Sequence, residues 1–402
     1  MLPDSLADGL RHLGLSEPDW LSFRPTGEKA WLQTKFNNVP RYLFRVYTPK
    51  SDGFTDHVWA KSKAFKHGDK DSEVDILTRS NDNDAADMLN RHLRWWPNDS
   101  DNLVSWTCSC LVALQYIVYR HADTRDGSPL ENIFLCIVDT TSFPKGVFLR
   151  DMDLIYAYSS FDIQLKELEG LRSKKHRNFS GSFYFGEYLS QGALRIEDKC
   201  QIVSAKDLWD QGLPIIHPQL CQLDGTPTWA NKVIELREPF YGEGKSLESI
   251  TESELQAVVS ITMLFMPKWR IPMAINLIAL RTRSDKDKDA IVRKLRGPIY
   301  QCCKWQDSSP LCTNIANYDT LPEVQLYGRI THIFYHTSRL LTSLDYIKEA
   351  ELSLRHGILA IHQSPESNST YTSRKLPCLI PSHRSLLNRL DMVVYLSESL
   401  RE

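Results

Sequence analysis

The spacing of hydrophobic positions changes between the two halves of the chain. In the first half, residues 41–47 are rich in β-branched and aromatic residues, and residues 132–139 form a continuous apolar run bounded by polar residues; both are typical of strands. From Glu252 onward, Leu255, Val258 and their successors recur at mostly helical steps. The pattern therefore predicts a β-rich first half that is followed by a helical second half.

The same spacing predicts the individual elements. Strands are expected at residues 41–47, 104–107, 132–139, 186–190 and 200–205. Helices are expected at residues 85–93, 111–117, 255–264, 272–280, 290–295, 321–362 and 384–399. Three further segments are less regular. Helical patches are expected in residues 1–38, with a helix start near 17–21, and a solvated loop is expected from the first strand to about residue 84. Residues 154–158 are expected to form a strand or a short helix. Pro272 is expected in the first turn of its helix.

Length and composition set the domain plan. At 402 residues the chain is longer than one hydrophobic core usually serves. Proline, glycine and polar residues dominate between Asp210 and Ser249, which marks a boundary. We therefore predict, in chain order, an N-terminal helical extension, an α+β domain, a linker and an all-helical C-terminal domain, at residues 1–37, 38–210, 211–249 and 250–402.

Charge and cysteine usage exclude several classes of protein. A formal charge of -2 gives no general field that attracts nucleic acid or a membrane surface. No run approaches the roughly 20 apolar residues that span a bilayer, and the N-terminus lacks a signal-peptide pattern. The nine cysteines contain no C-x-x-C pair and suit a reducing compartment. The sequence predicts an intracellular, cytoplasmic protein without membrane contact.

The first candidate chemistry lies on the strand that ends at residue 107. Ser105 and Thr107 are two positions apart, so both hydroxyls point to one face of a strand while Trp106 packs the other way. Ser109 is placed to cap the following helix. An ordinary polar strand end with a common N-cap accounts for the same residues.

An arginine and a glutamate occupy similar strand-like segments. Arg45 can bind phosphate oxygens at two points, and Glu187 can stabilise positive charge on a sugar carbon. Together with the hydroxyls of Ser105 and Thr107 they suit a ligand that combines a pyrophosphate with a ribose. Each residue taken singly is more often a surface or core-edge polar group.

Three segments carry a resemblance to a known superfamily. Residues 43–46, 104–107 and 186–194 resemble the three ordered motifs of ADP-ribosyltransferases, in the arginine–serine–glutamate branch that contains the cholera-toxin-like and pierisin-like enzymes. The order and spacing match over about residues 38–205. Residues 104–107 and the stretch 139–144 are also similar to an uncharacterised domain family common in fungi.

The resemblance implies an α+β fold with a split β-sheet and a site that binds NAD as a substrate. Arg45 would contact the phosphate–ribose part, Ser105, Thr107 and Trp106 would shape the nicotinamide pocket, and Glu187 would be catalytic. Family members that modify arginine or guanine carry Glu or Gln two residues before the catalytic Glu, where this chain has Phe185. That difference bears on the choice of acceptor and on transfer itself.

Several weaker signals have simpler explanations. Residues 242–246 resemble a phosphate-binding loop but lack its first glycine, since position 239 is Pro239, so a linker turn is favoured. His332 and His336 have a spacing that can bind zinc, yet an amphipathic helix surface explains them better, and no metal is predicted. The basic residues 174–177 suit an exposed loop. The Trp95–Trp96 pair can stack a base, although most such pairs are core or interface.

Two hypotheses follow from the sequence. The first is an NAD-dependent ADP-ribosyltransferase or NAD glycohydrolase that acts on an unidentified intracellular protein or nucleic-acid acceptor. The second is a catalytically inactive scaffold of the same fold that serves as a protein-interaction module, which Phe185 favours. In both, the helical C-terminal domain is a candidate contact surface for a protein partner.

Overall fold

The computed structural model describes most of the first three quarters of the chain. The described residues are 19–123, 126–173, 183–220, 229–241, 249–283, 287, 291–292, 294–295, 321–337, 340, 350 and 353. The chain forms two compact units, Met1–Phe334 and Tyr335–Glu402. In the second unit the described residues 335–337, 340, 350 and 353 are helical. The predicted boundaries at 37, 210 and 249 stay predictions.

The first unit combines short strands with helices. Its strands are β1 (Tyr42–Tyr47), β2 (Phe54–Thr55), β3 (Trp59–Lys61), β4 (Leu103–Thr107), β5 (Phe134–Asp139), β6 (Leu149–Arg150), β7 (Glu187–Gln191), β8 (Ala193–Arg195) and β9 (Cys200–Ser204). Its α-helices are α1 (Lys63–Lys66), α2 (Asp82–Leu93), α3 (Cys110–Ala122), α4 (Asp151–Tyr158), α5 (Ile163–Ser173), α6 (Ala205–Asp210), α7 (Leu213–Ile216), α8 (Trp229–Arg237), α9 (Glu252–Thr262) and α10 (Pro267–Ile278). Residues 322–334 are also helical. Short 3-10 helices lie at Gly27–Asn38, Lys70–Glu73, Ile76–Thr78, Leu130–Asn132, Thr140–Ser142 and Glu238–Tyr241.

The described strands form two antiparallel sheets. The larger has the order β6-β7-β4-β1-β5-β9, and the smaller has the order β2-β3-β8. The ladder between β1 and β4 is limited to the single pair Phe44↔Thr107, whereas β1 pairs with β5 along its whole length. The larger sheet is therefore weakly joined at its centre, and polar groups of β1 and β4 are left for other partners. The α+β class is confirmed.

The larger sheet is covered on both faces. Phe44 and Leu135 on one face belong to the same buried cluster as Val258 of α9 and Leu277 of α10. On the other face, Trp106 packs in a second buried cluster with residues of neighbouring strands and loops. Burial on both faces explains why β5 reads as a continuous apolar run.

Most of the predicted elements are confirmed, and their starts have visible causes. The hydroxyl of Ser109 accepts the amide of Val112 at 3.2 Å, which caps α3 as predicted. Thr251 and Glu254 form a capping box that begins α9. The segment at residues 154–158, left open between strand and helix, lies in α4.

Three expectations were wrong. The segment predicted as a solvated loop before residue 84 contains β2, β3, α1 and two 3-10 turns, because Ser62 caps α1 and β3 pairs with the distant β8. Pro272 lies inside α10 rather than in its first turn, because the helix begins at Pro267. Residues 19–21 are not helical. The helices predicted at 384–399 and beyond residue 353 lie outside the described residues.

Among the described residues, no helix combines the length and the apolar character that crossing a bilayer requires.

Candidate functional site

A cavity of about 630 Å³ opens where β1, β4 and β7 face α2, α3 and α8. Its volume is within the range of small-molecule sites, roughly 300–1,000 Å³. Arg45, Ser105, Thr107 and Glu187, which the sequence singled out, all line it. The strands that carry these residues are adjacent in the larger sheet, so residues far apart along the chain reach one cavity.

Arg45 occupies the gap where the ladder between β1 and β4 ends. Its Nη1 donates to the backbone carbonyl of Ser105 at 2.9 Å, and its Nε donates to the Thr55 hydroxyl at 3.1 Å. Gly53 lies beside the guanidinium: a Cβ added to this glycine would be 3.6 Å from Nη2 of Arg45. Burial lowers the pKa of Arg45 from its usual value. The guanidinium thus satisfies a carbonyl that lacks a strand partner and brings a cation to the cavity wall.

Ser105 and Glu187 are diagonal neighbours on paired strands. Thr107 lies directly opposite Glu187 in the β4–β7 register, and Ser105 shares the face of Thr107. The Ser105 hydroxyl donates to Glu187 Oε1 at 2.8 Å. The register of two strands therefore fixes the hydroxyl against the carboxylate.

A histidine and an aspartate extend this contact, and the sequence analysis did not select either of them. His92 comes from the last turn of α2, and its Nε2 lies 2.7 Å from the Ser105 Oγ. Its Nδ1 lies 2.7 Å from Asp101 Oδ2 on the segment that leads into β4. Burial alone would lower the pKa of His92, but the Asp101 carboxylate, helped by Glu187, outweighs burial and raises it.

An arginine that the sequence analysis also missed holds the other oxygen of Glu187. Arg172, near the end of α5, donates from Nη2 to Glu187 Oε2 at 2.9 Å. Its Nη1 forms an ion pair with Asp151, the first residue of α4. The side chains of Arg172 and Asp151 are 6% and 0% exposed, so this pair is fully inside the protein.

These contacts form one continuous series, which we call the polar chain: Asp101, His92, Ser105, Glu187 and Arg172. Each member touches the next through a hydrogen bond or an ion pair. The five residues come from α2, the segment before β4, β4, β7 and α5. A carboxylate is thereby fixed in the cavity by partners on both of its oxygens.

The remaining two predicted site residues have structural contacts. The Thr107 hydroxyl donates to the Phe185 carbonyl at 2.8 Å and accepts the Ser109 amide at 3.1 Å, so it joins β4 to the segment before β7. The Trp106 side chain is 2% exposed, packs edge-to-face on Phe148, and donates to the Ser190 hydroxyl at 2.9 Å. Their roles in binding a cofactor stay predictions.

Aromatic rings form another part of the cavity lining. We call this set the aromatic wall: Trp95, Tyr116, Tyr119, Phe183, Phe185 and Trp229. Trp95 stacks on Trp229 with ring centroids 5.0 Å apart and contacts Tyr116 at 5.4 Å, and Phe185 lies 4.5 Å from Trp229. Trp95 has a φ of 57°, a left-handed conformation that usually favours glycine.

Gly186 joins the two walls. It separates Phe185 from Glu187 and has a φ of 68°, and an added Cβ would lie 2.6 Å from Cys108 Sγ. Only glycine fits this turn without displacing its neighbours. The turn directs the Phe185 ring to Trp229 while Glu187 enters the sheet.

Four further cations, outside the polar chain, line the cavity. They are Lys50, Lys61, Lys63 and Arg120. Lys63 pairs with Asp99 at 2.9 Å, and Arg120 pairs with Asp126 and donates to the Thr48 hydroxyl. The cavity therefore combines cationic groups with a carboxylate and a set of rings, which suits a ligand that has both phosphate and planar ring systems.

The described part of the chain contains no group of three or more His, Cys, Asp or Glu side chains that could hold a metal ion. The phosphate-loop-like residues 242–246 and the basic residues 174–177 lie outside the described residues.

Comparison with known proteins gives one match. A family model described as a domain of unknown function (DUF7587) matches residues 38–195, a range that includes β1, β4, β7 and every residue of the polar chain. No curated protein matches the chain. No solved structure matches it either.

Proposed function

We propose that the cavity binds NAD and cleaves its nicotinamide–ribose bond, so that the protein acts as an ADP-ribosyltransferase or NAD glycohydrolase. The observation that carries the proposal is the 2.8 Å hydrogen bond from the Ser105 hydroxyl to Glu187 on the adjacent strand, inside a cavity that Arg45 also lines. The acceptor would be water or an intracellular protein or nucleic acid.

The strand arrangement supports an ADP-ribosyltransferase-like split sheet. Arg45 is on β1, Ser105 is on β4 at the start of the run into α3, and Glu187 is on β7. These strands are neighbours in the order β7-β4-β1, and the β1–β4 ladder has one pair only. An Arg strand, a Ser-x-Thr strand that leads into a helix and a Glu strand thus share one sheet, as the resemblance implies.

The proposed chemistry needs a carboxylate beside the ribose. As the C–N glycosidic bond breaks, its electron pair leaves with nicotinamide and positive charge develops on the ribose carbon. Glu187 would stabilise that charge, and the water or acceptor would then bond to the carbon and lose a proton. Ser105 and Arg172 each use only part of the hydrogen-bonding capacity of one Glu187 oxygen. Glu187 can therefore also accept a hydrogen bond from a ribose hydroxyl.

Phosphate binding would fall to the cations of the cavity. Arg45 is a permanent planar cation that contacts the polar chain, since it donates to the Ser105 carbonyl. Lys50 and Arg120 line the same cavity and could contact the pyrophosphate. The aromatic wall offers faces on which nicotinamide or adenine can stack.

Phe185 supports a second candidate function. Its ring packs on Trp229 at 4.5 Å, at the position where family members that modify arginine or guanine have Glu or Gln. No polar side chain is therefore supplied there to activate an acceptor. A catalytically inactive scaffold that serves as a protein-interaction module is the alternative proposal.

Nicotinamide release from labelled NAD tests the first candidate. Purified full-length protein should release nicotinamide, and Glu187→Gln should reduce the rate by about 10²–10³-fold because the stabilising charge is lost. Glu197→Gln is the matched control, because Glu197 is an exposed carboxylate paired with Arg195 outside the cavity. Equal turnover by native protein and Glu187→Gln would contradict the assignment.

Calorimetry with NAD separates the two candidates. A scaffold that has lost the function should show no NAD binding that depends on Arg45. If the protein is an enzyme, the Arg45→Lys variant should bind NAD more weakly than the native protein, because lysine lacks the planar guanidinium that binds two phosphate oxygens at once. Arg195→Lys is the matched control, since Arg195 is an exposed arginine outside the cavity.

A further inference from the structure

We propose that His92, oriented by Asp101, is a positioning residue that directs the Ser105 hydroxyl onto Glu187. The site is active in NAD cleavage only while both ring nitrogens of His92 carry a proton. For its activity readout this inference rests on the proposed NAD cleavage. The inference itself concerns the proton on the imidazole, which can be observed without turnover.

The geometry leaves few hydrogen-bond arrangements. The His92 Nδ1 lies 2.7 Å from an Asp101 oxygen, and its Nε2 lies 2.7 Å from the Ser105 Oγ. A carboxylate only accepts, so the Nδ1 must carry a proton to bond Asp101. The single variable is therefore whether the Nε2 also carries a proton.

That proton decides where the Ser105 hydroxyl points. With a proton on the Nε2, the imidazolium donates to the Ser105 Oγ, and the only proton of the hydroxyl is left for Glu187 Oε1 at 2.8 Å. Without it, the Nε2 becomes an acceptor and competes with Glu187 for the same hydroxyl proton. Glu187 then loses its partner on one oxygen whenever Ser105 turns to His92.

Charged groups on every side of His92 determine its protonation. Asp101 faces it from the segment before β4, Glu187 from β7, Arg45 from β1, and Arg172 stands behind Glu187 on α5. Burial and Arg45 disfavour the imidazolium, while Asp101 and Glu187 favour it. The carboxylates outweigh the opposing effects, so the pKa of His92 is raised above its usual value of 6.5 and the charged form persists to higher pH.

The predicted pH dependence follows from the sign of that shift. The rate of nicotinamide release should be high while His92 is an imidazolium and should fall as the pH rises through the raised pKa of His92. His92→Gln should remove this alkaline fall, because an amide nitrogen near the Nε2 position donates to Ser105 at every pH. His92→Asn should not provide a donor to Ser105, because the shorter asparagine side chain places its amide near the position of Nδ1 and not near that of Nε2.

Rates and pH profiles of these variants form the first test. We expect His92→Gln to retain activity within about 10-fold of native with a flat alkaline limb, and His92→Asn to lose about 10²-fold. His67→Gln, at an exposed histidine outside the cavity, is the matched control and should keep the native profile. Equal losses in the Gln and Asn variants, or an alkaline fall that persists in His92→Gln, would overturn the proposal.

Proton NMR titration of the imidazole is the second test, and it works without substrate. The signal that is missing in His92→Gln identifies His92. Its midpoint should lie above 6.5, the usual value for a histidine, and should move down in Asp101→Asn and in Glu187→Gln, because each removes a carboxylate that favours the imidazolium.

The two tests separate two kinds of failure. If no variant releases nicotinamide while the titration behaves as expected, the NAD proposal fails and the hydrogen-bond assignment stands. If the midpoint of His92 lies at or below 6.5, or does not respond to Asp101→Asn, the assignment fails whatever the activity.

Discussion

Two sets of side chains line the cavity: a series of five charged and hydroxyl side chains, and a set of six aromatic rings. In the polar chain each residue has one or two specific partners at 2.7–2.9 Å. In the aromatic wall Trp95 and Trp229 each contact several rings, at centroid distances between 4.5 and 6.3 Å. Directional contacts fix positions, whereas ring contacts tolerate adjustment.

The two walls should therefore respond differently when a member is removed. Loss of one partner from a buried polar series leaves another group charged and without compensation, which costs several kcal/mol. Loss of a ring that is only half-buried, such as Trp229, leaves apolar neighbours and no uncompensated charge, so the cost is smaller. Substitutions at each wall test this difference.

The largest effect is expected at the buried end of the polar chain. Arg172→Met leaves Asp151, which is 0% exposed, without its guanidinium partner and removes one partner of Glu187. The free energy of unfolding should fall by about 3–5 kcal/mol. Denaturant unfolding of the full-length protein measures it.

A double variant shows whether the uncompensated charge is the cause. Arg172→Met combined with Asp151→Asn should recover part of the lost stability, because the buried carboxylate is replaced by a neutral amide in that protein. A double variant less stable than Arg172→Met alone would refute this explanation and with it the contrast between the walls.

A moderate effect is expected at the centre of the aromatic wall. Trp229 contacts Trp95, Tyr116 and Phe185, and it is half-buried. Trp229→Ala should reduce the free energy of unfolding by about 1–3 kcal/mol. NAD binding should weaken in calorimetry while the maximal rate of nicotinamide release changes little, because Glu187 and its partners remain in place.

The smallest effect is expected at the edge of this wall. Trp96 is 44% exposed, and the Arg94 guanidinium lies over its ring at 5.3 Å. Trp96→Ala should change the free energy of unfolding by no more than about 0.5 kcal/mol. A loss equal to that of Trp229→Ala would mean that ring contacts with Trp229 do not set the stability of this wall.

Residues that belong to a periodic element were predictable. The β-branched and aromatic residues around Arg45 predicted β1, and the Ser105, Thr107 and Ser109 pattern predicted β4 and the capped start of α3. Hydrophobic spacing reports which face of an element is buried, and cap residues report where helices begin. The position of Glu187 at the start of a strand could be read in the same way.

Residues whose importance depends on a distant partner were not predictable. His92 ends a helix and lies 13 positions from Ser105, and Arg172 ends another and lies 15 positions from Glu187. In sequence both are ordinary polar residues of a last helical turn, where basic side chains are common. The polar segment before residue 84 was mispredicted for the same reason, since β3 becomes a strand by pairing with β8.

The sequence by itself determined the α+β class, the central strands and the capped helix starts, because side-chain periodicity and caps act over a few residues. Only the tertiary structure decided which polar groups meet: the order β7-β4-β1, the short β1–β4 ladder that Arg45 fills, and the polar chain that reaches Glu187 from both ends. Strand order and packing bring into contact residues of the polar chain that are up to 82 positions apart, and no local pattern encodes a contact over that separation.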